Sequence, residues 1–518
     1  VVSTAIALEV ARNALSGIAD EMGLVLRRTA DSPNIKERAD CSAAVFLPDG
    51  SMLAQAEHIP VHLGAMPASV AAVLERWEAE PGAQYAVNDP FAGGTHLNDL
   101  TLVRPVFAGG ALVAWVANRA HHADVGGEAP GSMPAHAVTV DQEGIRVPPM
   151  PAVRNGRWVP DFHEPFLAAT RTPGERAGDL AAQLGANEVG ARRLAEFVDR
   201  EGLDGFRRLT AELLDYGDRR MRAALARVPA GTYQFEDVVE WGERDVPLRV
   251  AVTVGGGELV ADFTGTAAQV PANFNAVEAV TRSCLYFAVR VATDPTIPAN
   301  AGCYRAIRLV APPGTLVNAL PPAAVAAGNV ETSQRIADVV LGALARAAPD
   351  RVPAASQGTM NNVLVGNRSF AYYETLGGGQ GGRPGRAGQS GIHTGMTNTR
   401  NTPIEALEAH YPLRVRRTTL RRGSGGAGVH PGGEGIEREL EFLADATLSL
   451  MGERRRHPPW GLWGGEPGAC GEDWLVRRGQ VPERLPGKVT LDVRAGDRLL
   501  VRTPGGGGWG SPGQSDGG

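Results

Sequence analysis

The sequence predicts a mixed α/β (α+β), multi-domain fold, with helices, several mixed or antiparallel sheets, and a β-rich, glycine-rich C-terminal part. Three observations lead there. Stretches with apolar residues at helical spacing are interleaved with β-branched and alternating runs. The chain has 518 residues, enough to bury sizeable cores and by length alone to make roughly two to four domains. Glycine supplies 66 residues, well above the usual ~7%, which points to many turns and loops. The expected division is an N-terminal α/β region over 1–228, an α/β middle region over 229–350 and a β-rich, Gly-rich region over 351–518.

Residues 4–28 carry Ile6, Val10, Leu15, Ile18, Met22, Val25 and Leu26 at helical spacing, so one amphipathic helix is expected. Ser42–Leu47, the turn Pro48-Asp49-Gly50 and Ser51–Gln55 read as a hairpin. Asp40 stands before it, and Glu57, His58 and His62 follow it. Ala65–Glu78 reads as a helix. Residues 170–226 change to helical period again, with Asp179, Gln183 and Asn187 along one face, taken as solvated. Pro247–Val254 and Glu258–Phe263 read as strands, and Thr281–Thr293 and Glu331–Ala347 as helices. The Asn, Thr and Ser residues of Gly328–Ser333 suit helix capping. From about Val352 strands alternate with glycine loops. Tyr372–Gly381 is no phosphate cradle, because no G-K-[ST] and no helix follow it. Gly423–Gly428 and Arg454–His457 are expected to be surface loop.

Composition excludes several classes. Hydrophobic content of 43% and charged content of 21% are ordinary. A net charge of −6 makes no electrostatic case for nucleic acid or an anionic membrane. Cys41, Cys284, Cys303 and Cys470 lie far apart, so a disulfide scaffold is not expected and a reducing cytoplasm is. No apolar run approaches the ~18 residues of a membrane span, and no signal peptide is visible.

The chemistry concentrates in Val87–Gly127, in Gly93-Gly94-Thr95-His96-Leu97-Asn98-Asp99 and Arg119–Gly127. Imidazole nitrogen and carboxylate oxygen together suit Zn, Mn, Fe or Ni. His96 and Asp99 are three apart, a spacing that turns both side chains the same way on one tight turn. Leu100–Phe107 reads as a strand, Ala108-Gly109-Gly110 as a turn and Ala111–Asn118 as the return strand. That hairpin brings His121 back beside His96 and Asp99, giving two imidazoles and one carboxylate with open positions. His122 and Asp124 are placed beside the ligands, orienting them or moving protons. An ordinary polar loop, a metal-free acid/base site and a non-haem iron site remain open alternatives.

Glu37–Ser42, Ala54–Gly64, Asn88-Asp89-Pro90, Gly93–Asp99, Ala120–Gly127 and Glu143–Pro149 resemble the hydantoinase B family. So do Asp262–Thr266, Met396–Glu405 and Thr503–Gly510. The family comprises B subunits of ATP-dependent hydantoinases, the C-terminal half of 5-oxoprolinase and the large subunit of acetone-type carboxylases. The resemblance implies metal ligands at His96, Asp99 and His121, and it marks Asp40 and His58 as further site candidates. With His122 and Asp124 these form the expected catalytic set.

What the resemblance implies is a metal-binding catalytic subunit of an ATP-dependent cyclic-amide hydrolase, acting on hydantoins, 5-oxoproline or lactams. Its expected cofactor is a divalent metal (Zn, Mn or Fe). A separate A-type subunit with an actin-like ATPase fold binds ATP/Mg, in keeping with the lack of a nucleotide motif here. The expected assembly is a cytoplasmic hetero-oligomer. An acetone- or acetophenone-type carboxylase is the second reading. A non-catalytic scaffold with a structural metal is the third, disfavoured because structural sites are usually closed by four protein ligands.

Overall fold

The computed structural model describes residues 4–56 and 59–513. Its N-terminal part is built on a seven-stranded sheet. The strands are β1 (Cys41–Phe46), β2 (Met52–Ala56), β3 (Gln84–Val87), β4 (Asp99–Ala108), β5 (Ala111–His121), β6 (Met150–Arg154) and β7 (Arg157–Trp158), in the order β2-β1-β5-β4-β3-β6-β7. Every pairing is antiparallel. β4 and β5 form the hairpin expected from Gly109-Gly110, in a register that sets Asp99 opposite His121.

Strand alternation gives this sheet two unlike faces. On one, Ala43, Val45, Val113 and Val116 pack against the helices Thr4–Thr29, Pro173–Glu201 and Leu203–Leu225. On the other, Ala44, Phe46, Val103, Trp115 and Ala117 join a core shared with Ala65–Leu74, Glu278–Ala292 and Ser333–Ala345.

The face of the helix Pro173–Glu201 that bears Asp179, Gln183 and Asn187 is not solvated. All three are fully buried. The Asp179 carboxylate accepts from the N–H groups of Asp31 and Ser32 at 3.1 and 3.0 Å. Gln183 donates to the Leu100 carbonyl at 2.9 Å, and Asn187 bridges Asn118 and Gln84. Gln183 and Asn187 form a polar seam under β4 and β5, hydrogen-bonded to the Leu100 and Leu102 carbonyls and to Asn118 and Gln84.

A four-stranded middle sheet pairs Gly231–Trp241, Arg244–Gly255 and Glu258–Asp262 antiparallel and adds Ile307–Val310 parallel. Two antiparallel sheets of four and five strands build the C-terminal part. Between them, glycine segments pack backbone against backbone. Gly382 donates to Gly507, Gly426 to Gly506 and Gly506 to Gly433, at 2.8, 2.8 and 2.9 Å. The stretch Gly423–Gly428 is thus partly interior. Arg454 is buried too, donating to Asp237 and Asp338 at 2.9 and 2.7 Å. None of the four cysteines is in a disulfide. No helix among the described residues is long and apolar enough to cross a membrane.

Candidate metal centre

The site lies where β4 begins and β5 ends. His96 reaches it from the loop before β4, whose approach depends on Gly93 and Gly94. Gly93 has φ +87°, and a Cβ there would fall 2.3 Å from the Ala68 carbonyl oxygen. A Cβ on Gly94 would fall 2.5 Å from that of Asn88. Only glycine lets the loop lie this close to the helix Ala65–Leu74.

His96, Asp99 and His121 each offer one donor atom, all within 4.8 Å of one another, and all three residues are buried. Asp99 is the centre. Its Oδ2 lies 3.2 Å from His96 Nδ1 and its Oδ1 3.4 Å from His121 Nδ1. Thr95 Oγ1 donates to Oδ2 at 2.6 Å. His62, from the short turn Pro60–His62, places Nε2 3.3 Å from Oδ2, while its Nδ1 meets Ser42 Oγ at 2.8 Å. Burial works to raise the Asp99 carboxyl, but the surrounding His96, His62 and His121 outweigh it and hold the group well below the usual range. Burial lowers His96, which favours the neutral imidazole that a metal needs. The Nε2 atoms of His96 and His121 are buried with no hydrogen-bond partner. Two imidazoles with unpartnered nitrogens around a charged carboxylate fit a divalent cation.

Asp40 closes one side. Its carboxylate lies 4.0 Å from His121 Nδ1, and its carbonyl accepts from the His121 N–H at 3.0 Å. It follows Ala39, held at φ +58°, a strained backbone position beside a functional group. Tyr373 stacks on the His121 ring at 4.5 Å, and the Arg38 guanidinium covers Tyr373 at 5.0 Å.

His122 and Asp124 do not join this group. Along β5, Asn118 and Ala120 turn toward the helix Pro173–Glu201 while Arg119 and His121 turn away from it, so His122 falls on the helix side. There its Nε2 meets Gln183 Oε1 at 3.0 Å, and burial pushes it down to about 4. His122→Gln is therefore expected to leave bound metal unchanged and to lower stability by about 1–3 kcal/mol, read from metal content and denaturant midpoint. Asp124 is fully buried, accepts from the N–H groups of Gly126, Gly131 and Arg171, and pairs with the Arg171 guanidinium at 2.9 Å. It holds a loop rather than facing the centre. His58 lies outside the described residues.

A family model described as hydantoinase B/oxoprolinase matches residues 4–512. The chain belongs to this family. Among relatives, an uncharacterised protein of Methanocaldococcus jannaschii is 42% identical over 99% of this chain and 91% of its own length. The 5-oxoprolinase 1 of Arabidopsis thaliana is 39% identical over 98% of this chain, which spans only 42% of that longer protein. The ATP-dependent caprolactamase of Pseudomonas jessenii is a solved structure at 31% identity with a TM-score of 0.92, covering 99% of this chain and 92% of its own. A nucleotide-free acetone carboxylase has the same fold, with a TM-score of 0.90 at 20% identity over 98% of this chain and 76% of its own.

In this hydantoinase B chain several site neighbours escape sequence reasoning. Asn329 Nδ2 lies 3.0 Å from His96 Nδ1. Asn329 sits in a π-helical turn, Gly328–Thr332, with no side-chain cap, so this stretch is not the ordinary helix start expected of it. Tyr373 reaches the site from far along the chain with no local signal, and Arg38, two residues before Asp40, joins it by covering the Tyr373 ring. Arg146 faces Asp89 at 4.0 Å, and the Glu143 carboxylate accepts from the Val325 and Ala326 N–H groups.

Burial pushes Glu143 up to about 8, although those two N–H groups pull it down. Its folded value is thus raised above the unfolded ~4.3. The stability it contributes is complete below the unfolded value and is lost as pH rises through about 8. Thermal unfolding from pH 5 to 9 is expected to show stability falling with pH, with a shallower fall in Glu143→Gln.

Proposed function

We propose that this chain is the B-type, metal-binding catalytic subunit of an ATP-dependent cyclic-amide hydrolase of the hydantoinase, 5-oxoprolinase or lactamase type. It works in a cytoplasmic hetero-oligomer with an ATP-binding A-type subunit. The observation that carries this is the buried His96–Asp99–His121 cluster, in a chain that matches a caprolactamase over nearly its whole length. His96, Asp99 and His121 would hold a divalent metal (Zn, Mn or Fe), which would supply a Lewis acid for a carbonyl.

The chain's own groups divide the remaining work. Thr95 and His62 fix the Asp99 carboxylate by hydrogen bonds. Asn329 and Tyr373 hold the two imidazoles in place. Such outer partners set ligand orientation and basicity. Asp40, beside His121, is the group positioned to take or give a proton, and His58 stays a candidate for the same task through the family resemblance. The carboxylase reading ranks second, because likeness at 20% identity carries fold and not activity.

The test is turnover by the chain together with an A-type subunit, given ATP and a panel of cyclic amides. Ring-opened acid formed in step with ADP supports the hydrolase. Carboxylated product from a ketone and bicarbonate, with no ring opening, contradicts it.

A further inference from the structure

A cavity of about 300 Å³ lies between the helices Glu278–Ala292 and Ser333–Ala345, closed by the segments around Ser356, Gln380, His393–Asn398 and Trp460. Two of its lining residues adjoin segments that carry residues of the metal centre. Pro60 begins the turn that delivers His62 to Asp99. Gln334 follows the π-helical turn that carries Asn329. His393 feels the charges of Arg38 and Asp40.

Two features define what this cavity accepts. First, three of its lining residues hold a buried polar atom with no hydrogen-bond partner: His393 Nδ1, Thr394 Oγ1 and Trp460 Nε1. An indole N–H only donates, while a hydroxyl both donates and accepts. A ligand with a carbonyl and an N–H satisfies such a set, and unpaired buried polar groups are costly enough to reward it. Burial lowers His393 to about 4, so it meets a ligand as neutral imidazole at pH 7.

Second, among the described residues no arginine or lysine lines the cavity. Its one ionisable carboxyl is Asp338, which burial pushes up to about 7 and whose oxygen already accepts from the guanidinium groups of Arg335 and Arg454. The remaining polar lining is neutral amide and hydroxyl, between the aromatic rings of Phe287 and Trp460. A ligand carboxylate entering here would meet Asp338, whose arginine partners are already engaged, and no arginine or lysine of the lining, an unfavourable burial of charge.

We infer that this cavity is the ring-binding site and that it takes an uncharged cyclic amide, a simple lactam or hydantoin, in preference to a ring bearing a carboxylate. The inference rests on the cyclic-amide reading above and narrows it. It also makes His393, Thr394 and Trp460 determinants of specificity. They contact the ring and not the metal.

The test is titration of the purified full chain with 2-pyrrolidinone, hydantoin and 5-oxoproline, followed by ligand-observed NMR. The same titration is run on Thr394→Val, which keeps shape and removes the unpartnered hydroxyl, and on Trp460→Phe, which removes the indole N–H together with part of the ring. The expected result is binding of the two neutral rings, with 5-oxoproline at least about tenfold weaker. Each variant should weaken neutral-ring binding about fivefold, the effect of one lost hydrogen bond. Equal or tighter binding of 5-oxoproline, no binding of the neutral rings, or binding untouched by both variants overturns the inference. Metal content of the same samples is read separately. A chain that binds the neutral rings but holds no metal supports the cavity and counts against the metal centre.

Discussion

Asp99→Asn is expected to lower ATP-dependent turnover by about 10³-fold or more while leaving the chain folded. The reason is the position of Asp99 among His62, His96 and His121, with contacts of 3.3, 3.2 and 3.4 Å. An amide of the same shape carries no charge to balance a cation. Its NH₂ group would also face Thr95 Oγ1, which now donates to the carboxylate. Thr95→Val leaves the charge and removes one support, so a smaller loss, about 10- to 100-fold, is expected. Steady-state rates measured beside circular dichroism separate both effects from unfolding. A variant Asp99→Asn with near wild-type turnover would mean that the carboxylate is structural.

The largest effect on stability is expected at the C-terminal glycine run. A Cβ on Gly505 would fall 1.8 Å from the Ser424 carbonyl oxygen, and those on Gly506, Gly507 and Gly508 within 2.1 Å of the carbonyls of Gln380, Trp460 and Ala427. Four consecutive glycines thus touch the backbone of three other segments, around residues 424–427, 380 and 460, none of which yields as a flexible side chain would. Gly505→Ala is expected to cost about 4 kcal/mol or more, seen as a lost or broadened thermal transition and poor soluble yield. Gly185→Ala, on the helix Pro173–Glu201 with nothing within 4 Å, is the control. It should be neutral or stabilising by up to about 1 kcal/mol.

These two regions differ in how far the sequence reveals them. The β4–β5 hairpin is legible because its signals are local: a β-branched run, a Gly-Gly turn and a return run. Strand alternation then separates His121 from His122, although period alone leaves open which of the two faces the centre. The contacts of His62, Asn329, Tyr373 and Arg38 are not legible, since each depends on pairing across long stretches of chain. Asn329 reaches His96 from 233 residues away. The same limit explains why Asp179, Gln183 and Asn187 read as a solvated face. A polar stripe at helical spacing is identical in sequence whether it meets water or the exposed backbone of a sheet. The glycine richness at the C-terminus suggested loops, because composition does not tell an open turn from a backbone packed too tightly for any Cβ.

The most direct measurement is the metal content of the purified chain by elemental analysis, comparing wild type with His96→Ala and Asp99→Ala. The expectation is about one equivalent of Zn, Mn or Fe in the wild type, absent from both folded variants. A wild-type chain without metal, or variants that retain the full equivalent, would contradict the assignment of His96, Asp99 and His121 as the catalytic metal centre.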